Sequence, residues 1–102
     1  MPLNVRWDPR KAKRNLEKHG VSFEEVATVF DDPLSSTIAD PLHSGEEDRF
    51  VIVGESVRER VLVVVHTDEW DTVRIISARL ASLKERRQYE EGDFEEGQEN
   101  TA

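Results

Sequence analysis

The run Val61-Leu62-Val63-Val64-Val65 constrains the fold more than any other stretch of the chain. It has no polar alternation, and four of its five residues are valine. Such a run reads as a strand buried on both faces, which places it centrally in a sheet. Arg49–Val53 and Val73–Ala78 read as strands on either side of it, with turn segments at 54–59 and 67–71. Ser36–Ala39 is a weaker fourth strand, and 40–48 a polar loop. Turns this short join neighbouring strands antiparallel, so the second half of the chain predicts a meander.

The first half predicts a short strand, Leu3–Trp7, and then helices. Asp8-Pro9 is a helix start, with a capping carboxylate followed by a proline at the first helical position. Helix 1 runs from Pro9 to His19, and Gly20 supplies the left-handed terminus. Its inward stripe is thin, mainly Ala12 and Leu16. Ser22 and Glu25 have the spacing of a capping box, with Val21 and Val26 as the flanking staple. Helix 2 then runs to about Phe30, and Asp31-Asp32-Pro33 stops it. Ser82 and Glu85 form a second capping box, which opens helix 3 to about Tyr89. The expected class is α+β: a short N-terminal strand, two helices, an antiparallel three- to four-stranded meander and a C-terminal helix. Both early helices should cover one sheet face. The other face keeps apolar surface that helix 3, a partner or a second copy must cover.

Charge divides the chain. Of 22 acids, six lie from Glu90 onward, where there is no Lys or Arg. Residues 90–102 therefore read as a disordered acidic tail, and 1–89 as one domain. That domain is near neutral, with 14 bases against 16 acids. It can bind nucleic acid only by gathering its cations on one face, because phosphate affinity is largely electrostatic. The absence of cysteine excludes disulfide staples, zinc–thiolate sites and cysteine nucleophiles, and fits a reducing cytoplasm. No apolar run approaches a membrane span, and no apolar signal segment opens the chain, so no membrane partner is expected. There is no Gly-rich phosphate loop and no GxSxG motif. His43 and Glu47 lack a third and fourth ligand at metal-site spacing, so neither metal nor cofactor is expected.

The chain resembles the BrnT family of toxins. The resemblance rests on Trp7-Asp8, Lys11, Asn15-Leu16, the block Lys18–Phe23, Phe30–Pro33, Asp40, His43, Glu47 and Arg49. It continues through Gly54, Ser56, Arg60–Val64, Arg74–Arg79, Glu85-Arg86 and Tyr89. The order and spacing of these pieces from Trp7 to Tyr89 carry the signal. The resemblance implies a RelE-like fold and a metal-independent endoribonuclease that cleaves RNA and inhibits translation. It also implies a ribbon-helix-helix antitoxin, so that DNA is met only through the antitoxin. The stoichiometry, including a dimer within the complex, is left open.

Metal-free RNA cleavage needs a group to take the 2′-hydroxyl proton, cations against the phosphorane charge and an acid for the leaving oxygen. Arg49 and Arg79, each at a strand end, are the expected phosphate binders. By the two-residue period, residues 75, 77 and 79 share a face, which puts Ser77 beside Arg79. His43 is the expected proton-transfer group, with Glu47 as base or orienter; the competing reading is a solvated loop. Lys11, Arg14 and Lys18 line one face of helix 1. They are the RNA-binding candidates along with His19, Arg74, Arg86 and Tyr89. Each has a plainer reading: a solvated charged face, a helix-end imidazole, or an aromatic packed on the sheet. His66 reads as a turn or interface residue, Trp7 as core and Trp70 as turn. A second functional reading is a non-catalytic module that holds a DNA-binding partner. The tail adds an option of its own, folding back over the basic stripe as a phosphate mimic.

Overall fold

The computed structural model describes residues 4–40 and 49–92. Strand β1, Asn4–Trp7, leads into helix α1, Pro9–His19. The Asp8 carboxylate accepts from the Arg10 N–H at 2.8 Å, and Pro9 opens the helix. Gly20, at φ 70°, closes it by donating to the Leu16 carbonyl at 2.9 Å. Helix α2 is short, Phe23–Ala27, and tightens into a 3₁₀ turn over Thr28–Asp31 rather than running on as α-helix to Phe30. Four strands follow: β2, Ser36–Ala39; β3, Arg49–Glu55; β4, Val61–Glu69; and β5, Thr72–Leu80. Helix α3, Leu83–Glu91, ends the described chain.

The five strands form one mixed sheet in the order β1-β5-β4-β3-β2. β2 to β5 are the antiparallel meander, and β1 adds to its far side parallel to β5. The expected three- or four-stranded meander therefore gains a fifth strand, because β1, which precedes the helices, adds alongside β5, the last strand. β4 is central, and Leu62, Val63 and Val64 are buried as the valine run requires. The turn before β5 is shorter than expected. β4 runs on to Glu69, leaving Trp70 and Asp71 as a two-residue hairpin loop with Trp70 98% exposed.

One sheet face carries the core. Leu62, Val64, Ile52, Ile75 and Ala78 pack with Val21, Phe23, Val26 and Val29 from the helical layer. Trp7 joins its edge and meets Phe23 edge-on, with ring centroids 6.0 Å apart. Burying these side chains supplies the main driving force, at ~25 cal/mol per Å² of apolar surface.

Helix α1 is anchored by a polar residue, which apolar periodicity does not reveal. β1 pairs with β5 only as far as Ile75, so the edge of β5 beyond it is open. Asn15 closes it. Its Oδ1 accepts from the Ala78 N–H at 3.0 Å, and its Nδ2 donates to the Val21 carbonyl at 3.0 Å. Leu16, expected inside, is 51% exposed, while Asn15 is buried. A buried amide that satisfies two backbone groups avoids two desolvation penalties, each about 1–3 kcal/mol. Among the described residues, no helix is long and apolar enough to cross a membrane.

Candidate functional site

A β-bulge decides which side chains reach the second sheet face. Val65 pairs with Ser77, but His66 pairs with Ile75, so Ile76 is an extra residue on β5. The insertion breaks the two-residue period. Ile75 turns into the core and is fully buried, whereas Ser77 and Arg79 face the other side. The expectation that 75, 77 and 79 share a face is thereby corrected. Ser77 and Arg79 instead share their face with Val63, Val65, Val51 and Arg49, through successive cross-strand pairs.

Two cavities open on this side. One, of about 270 Å³, is lined by Val51, Val63 and Val65 at its floor, with Asp40, Ser77, Arg79, Glu85 and His19 around it. The other, of about 330 Å³, lies between α1 and the β5 edge, lined by Lys11, Arg14, Asn15, Lys18, His19, Ile76 and Ser77. His19 and Ser77 belong to both. The basic stripe of α1 is therefore continuous with the arginine end of β5. The helix ends at His19, next to the β5 edge that Asn15 holds, and this places an imidazole between them. A third cavity, of about 460 Å³, lies elsewhere and is lined by Asp31, Asp32, Glu55 and Glu59 along with Thr28, Ser56 and Val57. Its carboxylates repel phosphate.

Arg79 is not a bare cation. Its two terminal nitrogens donate to the two Glu85 oxygens at 2.8 and 2.9 Å. Glu85 also accepts from the Ser82 N–H at 2.8 Å, closing the capping box of α3. Arg79 outweighs the cost of burial and pulls the Glu85 carboxyl down to about 2. At neutral pH the pair is an ionised fork-on-fork contact.

Arg49 starts β3 opposite Thr67, four residues along β4 from Val63, the partner of Arg79. Strand geometry separates the two arginines by about 13 Å along the sheet and 10 Å across it. They share a face but not one phosphate; contacts spaced this far reach separate phosphates of one strand. Asp40 and Arg49 are adjacent, with the Asp40 N–H donating to the Arg49 carbonyl at 2.9 Å, and both have further partners.

Arg74 is exposed on β5 and, like Arg49, pairs with Thr67, so it lies on this same face two strands from Arg49, at the hairpin end. The remaining candidates disperse. Arg86 lies on α3 with its Nε 3.5 Å from Glu90. Tyr89 donates its hydroxyl to the Asp32 carboxylate, and burial beside that carboxylate raises its pKa. It thus packs at the acidic end of the sheet. His43 and Glu47 lie outside the described residues, as does the tail from residue 93.

His66 corrects its reading as a turn or interface residue. It is a buried member of β4, stacked on Phe50 and edge-on to Phe30, with Nδ1 2.8 Å from Asp68. Burial lowers its pKa, and Asp68 opposes that only in part. Glu25 also departs from expectation. Ser22 accepts from its N–H at 3.1 Å, but its carboxylate does not return to cap α2. It turns inward to Ser56 and Arg60 instead. Among the described residues no group of His, Asp and Glu has metal-binding geometry.

Comparison with known proteins supports the same fold. The family model described as ribonuclease toxin, BrnT, of type II toxin–antitoxin system matches residues 7–85. The crystal structure of the Brucella abortus ribonuclease toxin BrnT superposes with a TM-score of 0.58 at 23% identity, covering 79% of this chain and 99% of that one. No curated protein matches the chain.

Proposed function

Because this chain belongs to the BrnT family of ribonuclease toxins of type II toxin–antitoxin systems, we propose that it is a metal-independent endoribonuclease that binds single-stranded RNA across α1 and β5. One observation carries the proposal: the two cavities joined through His19 and Ser77 link the Lys11, Arg14 and Lys18 stripe to Arg79. In an otherwise acidic chain this is where cations converge.

In this reading the stripe holds the RNA backbone and Arg79 holds the scissile phosphate. The 2′-oxygen bonds to phosphorus as the bond to the 5′-oxygen breaks. A proton leaves the 2′-hydroxyl for an imidazole, and the departing oxygen takes one from water. His19 stands at the joined cavities and suits the proton transfer there. Arg49 takes a flanking phosphate. His43 and Glu47, outside the described residues, remain candidates. Cleavage inhibits translation, and a ribbon-helix-helix antitoxin restrains it; type II membership supports an antitoxin partner.

A second reading, a non-catalytic module for a DNA-binding partner, draws on the filled guanidinium fork of Arg79. RNA binding separates the two. Replacing Lys11, Arg14 and Lys18 together by glutamine should lower the slope of log affinity against log salt by about two, since each single-strand phosphate contact contributes ~0.7. Filter binding across a salt series checks it, with RNA integrity followed on gels. An unchanged slope with uncut RNA would favour the module.

A further inference from the structure

We propose that Glu85 is a displaceable latch whose carboxylate occupies the seat on Arg79 that an RNA phosphate takes. The proposal rests on the reading of Arg79 as a phosphate binder and adds how that site is regulated.

The chemistry of the fork supports it. A guanidinium with two parallel N–H groups matches a carboxylate and a phosphate in the same way. Here both terminal nitrogens are used on Glu85, at 2.8 and 2.9 Å, and the remaining contact of NH1 is the Leu80 carbonyl at 3.2 Å. Glu85 lines the same cavity as His19, Ser77 and Arg79. An RNA phosphate can therefore reach the fork only by moving this carboxylate. Its low pKa keeps it charged throughout the neutral range, so it does not leave by protonation.

Helix α3 sits on the surface of the domain. None of its residues is buried. It is clasped at its start by Arg79–Glu85 and near its end by the Tyr89 hydroxyl on Asp32. Both clasps are polar, so lifting the helix exposes little apolar surface. Glu85 keeps a second task, accepting from the Ser82 N–H, and can leave Arg79 without losing its cap.

Glu85→Gln tests the latch, because glutamine still completes a capping box but removes the competing charge. The full chain and the variant are titrated with a 2′-O-methyl RNA oligonucleotide, which binds without being cut. The latch predicts about tenfold tighter binding by Glu85→Gln, the low end for relieving one charge-assisted competitor. Adding Arg79→Ala to that variant should erase the gain. Equal or weaker binding by Glu85→Gln overturns the latch and leaves Glu85 as a group that positions Arg79. If Arg79→Ala alone weakens binding in that case, the phosphate-binding reading of Arg79 survives. If Arg79→Ala alone binds like the parent, that reading falls as well. Tyr89→Phe, which frees α3 from its far end, gives an independent check. It should tighten binding by a smaller factor, and no tightening counts against the latch even if Glu85→Gln fails to fold.

Discussion

Glu25→Ala is expected to remove about 3–5 kcal/mol of stability, the range found when one partner of a buried ion pair is deleted. The Glu25 side chain is buried and takes hydrogen bonds from the Ser56 hydroxyl at 2.6 Å, from Arg60 Nε at 2.9 Å and from a terminal nitrogen of Arg60. That same nitrogen also donates to the Gly20 carbonyl at 3.2 Å. The carboxylate thus ties α2 to the β3–β4 hairpin and, through Arg60, to the end of α1. Alanine leaves a partly buried guanidinium and a buried hydroxyl without their acceptor. A small domain has about 5–15 kcal/mol in total, so the variant should lose a large share of its stability. Urea denaturation followed by circular dichroism measures it. A loss under 1 kcal/mol would mean that solvent replaces the carboxylate freely.

The same carboxylate sets a pH dependence. The hydrogen bonds of Arg60 hold Glu25 below its usual 4.5; burial opposes them and Ser56 assists. A depressed carboxyl stabilises the fold above its unfolded value and loses that contribution as pH falls through the folded one. Glu85 acts in the same sense, down to about 2. The urea midpoint of the parent should therefore fall steadily as the solution is acidified below about 4.5, the ordinary glutamate value. Glu25→Ala should flatten that slope.

The second large effect falls on activity. Arg79→Ala should slow RNA cleavage by about 10²–10³, the usual loss when one donor to a developing oxyanion is removed. The fold should survive, because the Arg79–Glu85 pair is partly exposed and such pairs contribute ~0–1 kcal/mol. Arg79→Lys retains the charge but not the planar fork, so it should recover only part of the rate. Single-turnover cleavage of a labelled RNA gives the comparison. A rate within about threefold of the parent, far short of the loss expected for a phosphorane contact, would remove Arg79 from the chemistry.

Much of the fold was legible because its signals are local. The valine run fixed β4 as central, Asp8-Pro9 and Gly20 bounded α1, and Ser82 with Glu85 opened α3 where a capping box belongs. What was not legible depends on partners distant in sequence. Asn15 reads as a polar surface residue until the short β1 leaves the β5 edge open. Glu25 fits a local box, yet Arg60, 35 residues on, draws its carboxylate inward. The bulge at Ile76 follows from pairing with β4, and no turn residue marks it. It separates Ile75 from Ser77 and Arg79, which a strict period unites. The basic stripe on α1 was visible from spacing alone. Its junction with β5 through His19 was not, because nothing in the sequence says that the end of α1 lies beside Ser77.

The most direct test maps where RNA lands. Two-dimensional NMR of the ¹⁵N-labelled chain, titrated with a 2′-O-methyl RNA oligonucleotide, should shift the amides of Lys11, Arg14, Lys18, His19, Ser77 and Arg79 together, and leave those of Asp31, Glu55 and Glu59 in place. Saturating RNA that moves only residues outside the α1–β5 groove, or a titration that moves none, would contradict the assignment.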